Sequence, residues 1–114
     1  MTEPHSNRKD IDYLRDIVEY AERSISFCAA LDLASFEKDT KTFFAVAYCI
    51  QTIGEASTHV SPETKQKLKH IPWKEMKAMR NILVHAYHNA DYEVIWSTVT
   101  EDLPALIKEI KILL

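Results

Sequence analysis

The chain has 114 residues, 46% of them apolar and 27% charged, proportions that set the expectation of one globular domain over residues 1–114. A lone glycine and four prolines count against a strand-rich fold with many tight turns and favour helices. A net charge of −3 excludes a binder that works through bulk positive charge, and no run approaches the roughly 18 apolar residues of a membrane span.

The opening "MTEPHSNRKD" has no apolar signal core, so residues 1–7 are expected to be a flexible arm and the protein to be cytoplasmic, with no membrane contact. A first helix is predicted over about residues 8–31, where Ile11, Leu14, Val18, Ala21, Ile25 and Cys28 recur at helical steps. Tyr13, Ile17, Tyr20 and Phe27 widen that stripe enough to call for more than one neighbour, a second subunit among them. "DLASFEKDT" reads as a connector with a short helical turn, and Asp39 or Thr40 as a cap for the next helix.

That second long helix is predicted over about residues 41–59, its inner face made by Phe43, Val46, Ala47, Ile50, Ile53 and Ala56. Gly54 lies inside it, at a cost of about 1 kcal/mol against alanine, and close approach of another backbone would explain it. Glu55 would need a partner if buried. Ser61-Pro62 reads as N-cap and first helical position of a short basic helix, which Ile71-Pro72 ends. "WKEMKAMRNILVHAY" is the next predicted helix, "HNAD" a connector, and Asp91 the cap of a closing helix that Pro104 should kink near Asp102 and Leu103. Cys28 and Cys49 lack CxxC spacing and fit reduced, buried thiols. The expected architecture is an all-α antiparallel bundle.

Chemistry concentrates late in the chain. Lys65, Lys67, Lys69, Lys74, Lys77 and Arg80 face only Glu75 in opposition and lead into Asn81, His85 and Tyr87. Arg80 and His85 stand five apart, about 140° around a straight helix, so they meet only if the helix ends, the arginine bends across, or a two-fold partner supplies the second group. Imidazole and guanidinium suit RNA cleavage without a metal. Histidine can take the 2′-hydroxyl proton or return one to the leaving oxygen, and a guanidinium meets the charge of the phosphorane. Asn81 would orient His85 or hold a phosphate oxygen, and the lysines would hold the RNA backbone. The plain alternative is a cationic pair near a helix C-terminus. No HExxH, Cys/His cluster, Gly-rich phosphate loop or nucleophile elbow is present, so no metal or cofactor is expected.

"MRNILVHAY" resembles the R-x4-H-x-Y motif of HepT-type toxins in the HEPN superfamily, with Arg80, His85 and Tyr87 at the named positions. "IQTIGEAS", "IPWKEMKAMRN" and "DYEVIWSTVTEDLPALIKEI" are similar to further blocks of that family, in the same order. The resemblance implies an all-helical homodimer whose Arg80 and His85 act at a shared cleft as a metal-independent RNase, with Asn81 and Glu55 in support. It further implies a toxin–antitoxin pair, in which a minimal nucleotidyltransferase uses ATP to adenylylate Tyr87 and block the cleft. The alternatives are a noncatalytic dimer that binds the nucleotidyltransferase, and a purely structural dimer.

Overall fold

The computed structural model describes residues 8–81 and 91–114. Its elements are α1 (Asp10–Cys28), α2 (Leu33–Lys38), α3 (Thr40–Ser57), α4 (Pro62–Lys67), α5 (Trp73–Ala78) with a 3-10 turn at Met79–Asn81, α6 (Tyr92–Ser97), a π turn at Thr98–Asp102, and α7 (Leu103–Lys111). No strand occurs among the described residues, in line with the composition. None of the helices there is long and apolar enough to cross a membrane.

Side chains cap the starts of α2, α3, α4 and α6. Asp32 accepts from Ser35 N at 2.8 Å while Ser35 Oγ accepts from Asp32 N, so the expected helical turn is a capped helix, α2. Asp39 caps α3 through Thr42 N, Ser61 caps α4 with Pro62 at its first position, and Asp91 caps α6 through Val94 N. The first long helix is shorter than expected, ending at Cys28, with Ala29 and Ala30 in a turn.

The α1 stripe packs along α3 and α7, burying Leu14, Ile17, Val18 and Ala21 against Phe43, Val46, Ile50, Leu103 and Ile110. Asp10, at the start of α1, reaches α4: it accepts from Ser61 N at 3.0 Å and from the hydroxyls of Ser61 and Thr64. These bonds and nearby Lys65 outweigh desolvation, which opposes them, and hold the Asp10 carboxyl below its ordinary range.

The expected break at Pro104 takes the form of the π turn. Proline has no N–H and its ring would strike the carbonyl four residues back, so the chain widens and Leu103 N–H reaches Thr98 O. Of the helix expected over residues 73–87, Trp73–Ala78 is α-helical and Met79–Asn81 tightens into the 3-10 turn, while residues 82–87 lie outside the described residues.

The physical reason sits across from that turn. Gly54 lies under it so closely that a Cβ there would stand 2.7 Å from Met76 O, 2.8 Å from Arg80 N and 3.1 Å from Met79 C. The backbone of the α5 segment rests directly on α3, and Arg80 is thereby delivered beside the residue after the glycine.

Candidate active site

Glu55 lies in the last turn of α3 and His59 in the turn just after the helix ends at Ser57, four residues on, and both are exposed. Arg80 comes from the 3-10 turn. Its Nε donates to Glu55 Oε2 at 3.1 Å, and His59 Nε2 stands 3.5 Å from Glu55 Oε1. The expected partner for Glu55 is therefore real, but the residue is exposed rather than buried. The Arg80 and Glu55 side chains keep 43% and 54% of their surface, so the guanidinium is within reach of an anion from solution. An exposed pair of this kind contributes at most about 1 kcal/mol, little enough for a phosphate to compete for the arginine.

α1 completes the surroundings. The Tyr13 ring stacks on His59 with centroids 4.9 Å apart and planes 17° from parallel. The Arg8 guanidinium lies 4.6 Å from the Tyr13 centroid and also pairs with Asp16 at 2.7 Å. Together with Tyr48, Gln51 and Thr52 these groups line an open cleft of about 670 Å³ between α1 and α3. Glu55 belongs both to this cleft and to the Arg80 pair.

The structure thus brings together Arg80 and Glu55 of the sequence candidates. His85 and Tyr87 lie outside the described residues. Asn81 closes the 3-10 turn and is exposed. Lys67, Lys69, Lys74 and Lys77 are exposed on α4, its exit and α5. Lys65 is half-buried with its ammonium 5.5 Å from the Trp73 ring centroid, an engagement that turns it toward Trp73. His59, Tyr13 and Arg8 are not among the sequence candidates. The signal for His59 is its four-residue spacing from Glu55; Tyr13 and Arg8 come from a distant part of the chain and leave no local trace.

No group of three or more His, Cys, Asp or Glu among the described residues is arranged to hold a metal ion. Cys28 and Cys49 are free and buried; burial pushes the Cys28 thiol up to about 11 and raises that of Cys49, so neither is poised as a nucleophile.

Helices without strands among the described residues, with an arginine–carboxylate pair at a helix-end turn, define the class only as a helical protein, and comparison with known proteins narrows it. Residues 17–113 match the family described as Ribonuclease HepT-like, and the chain belongs to that family. It is similar to Putative RNase MJ1380 of Methanocaldococcus jannaschii, 36% identical over 93% of this chain and 98% of that one. It is also similar to Probable ribonuclease HepT of Thermococcus cleftensis, 42% identical over 87% of this chain and 90% of that one. No solved structure matches.

Proposed function

We propose that the chain is a metal-independent endoribonuclease, the toxin of a toxin–antitoxin pair, working as a homodimer. The observation that carries this reading is Arg80, held by Glu55 through Nε at an exposed turn within the R-x4-H-x-Y sequence. The two relatives from Methanocaldococcus and Thermococcus, both named as ribonucleases, point the same way.

His85 takes the ribose 2′-hydroxyl proton, or protonates the leaving 5′-oxygen. Arg80 turns its terminal amines to the phosphate and stabilises the charge that builds on it. Glu55 fixes the guanidinium, and Asn81 orients His85 or the phosphate. Lys67, Lys69, Lys74 and Lys77 hold the RNA backbone without reading sequence, with Lys65 the weakest contributor because of its seat on Trp73. A partner protomer supplies the second Arg80 and His85. The outer face of α3 supports such a contact: Phe44 and Tyr48 are exposed in the turns before Glu55, Tyr48 by 55%.

A nucleotidyltransferase antitoxin, in the cytoplasm, joins the Tyr87 phenol oxygen to the α-phosphorus of ATP, and pyrophosphate leaves. The phosphodiester it leaves is anionic and bulky, and it competes with RNA phosphate for Arg80.

Incubation of unmodified protein with tRNA in EDTA tests this. Wild type is expected to cleave and His85→Ala to be inactive with unchanged mass in solution. Tyr87→Phe is expected to cleave and to escape neutralisation by the antitoxin. No cleavage by unmodified wild type would make the chain a noncatalytic partner of the nucleotidyltransferase, and neutralisation of Tyr87→Phe by nucleotidyl transfer would remove Tyr87 from the scheme.

A further inference from the structure

Arginine and a carboxylate frequently close into a fork, with two parallel N–H···O bonds from Nε and a terminal amine. Glu55 and Arg80 do not. Their single hydrogen bond runs from Nε to Oε2, at 3.1 Å. The second carboxylate oxygen, Oε1, is instead 3.5 Å from His59 Nε2. One oxygen faces each of the two side chains.

Resting on the reading of Arg80 as the phosphate-binding group, we propose that His59 is a positioning residue that keeps the Arg80–Glu55 contact single. With Oε1 turned toward His59, the carboxylate is oriented away from a second bond to a terminal amine of Arg80. The guanidinium stays anchored at Nε, and both terminal amines remain available for two phosphate oxygens. Without His59, Oε1 is free to swing onto a terminal amine. The fork then closes and withdraws that donor from the substrate.

His59 is itself braced from another element. Tyr13 on α1 stacks on its ring, and the Arg8 guanidinium lies 4.6 Å from the Tyr13 centroid. The imidazole plane is therefore set by α1, the carboxylate by α3 and the arginine by the 3-10 turn.

The consequence falls on the transition state more than on binding. The exposed lysines hold the RNA backbone in ground state and transition state alike, whereas the second terminal amine matters most when charge accumulates on the phosphoryl oxygens. His59→Phe keeps a ring for Tyr13 to stack on but removes the donor. His59→Gln gives up the ring but keeps an N–H that can reach Oε1.

In RNA cleavage with EDTA, His59→Phe is expected to lower kcat about 3- to 5-fold with KM within about 2-fold, and His59→Gln to recover most of the loss. Nuclear magnetic resonance of the arginine side chains reads the same change without activity. The Arg80 terminal amine signals are expected to be averaged by rotation in wild type and in His59→Gln, and to separate in His59→Phe as the fork closes. Unchanged kcat in His59→Phe, or equal loss in both variants, would overturn the proposal. Identical Arg80 signals in wild type and His59→Phe would overturn it too. If wild type cleaves no RNA, the ribonuclease reading falls by itself, and the resonance comparison still decides the role of His59.

Discussion

A single carboxylate does different work at two places in this molecule. At Glu55 the surrounding water weakens the pair with Arg80, and orientation matters more than energy. At Asp10 the carboxylate ties two helices, accepting from Ser61 and Thr64, and its affinity for protons is lowered in the fold. A lowered value means that the stabilisation is present above the ordinary carboxylate range, near about 3.9, and disappears as pH falls through the folded value. Asp10→Asn is therefore expected to cost about 1 kcal/mol at pH 7 and progressively less below about pH 4, measured by urea unfolding across pH. A constant difference at all pH values would show that the charge of Asp10 is not what matters. At this scale Arg80 is legible in the sequence, because its motif is local. Glu55 is legible only as a residue in need of a partner. His59 stays hidden because its worth depends on Glu55 already being held by Arg80 from another element.

The helices themselves are legible through their caps and their apolar spacing: Asp39, Ser61-Pro62 and Asp91 begin helices where expected. The 3-10 narrowing at Met79 is not, since it arises from α5 lying against α3 rather than from the preferences of Met79, Arg80 and Asn81. Gly54 reads as a point of close approach and is one, with Met76 O and Arg80 N as the neighbours. Those contacts are backbone atoms and cannot turn aside. Gly54→Ala should force α3 and the α5 segment apart, lowering stability by about 1–3 kcal/mol in spite of alanine's better helix propensity. The Arg80–Glu55 pair should loosen with it, and RNA cleavage should fall further than the loss of folded protein explains. A Gly54→Ala protein as stable as wild type and fully active would show that the close approach does not position Arg80.

Among the described residues, the packing of helices without strands reflects a single glycine and long amphipathic stretches, around a core to which α1, α3 and α7 contribute. The breadth of the α1 stripe has a partly intramolecular explanation: Tyr13 and Ile17 are buried within the chain, while Phe27 stays exposed. Assembly is written less plainly in a sequence, because an exposed Phe44 or Tyr48 on α3 can serve a partner subunit or simply face water. Residue and element meet in one arrangement, in which α3 and the 3-10 turn hold an exposed guanidinium, the group to which the proposed function assigns RNA phosphate. The most direct test is the rate of RNA cleavage in EDTA by Arg80→Ala against wild type, both free of AMP and matched in helical content and mass. The expected result is a fall of about 100-fold or more. Equal rates, or cleavage by wild type only when a divalent metal is restored, would contradict the account.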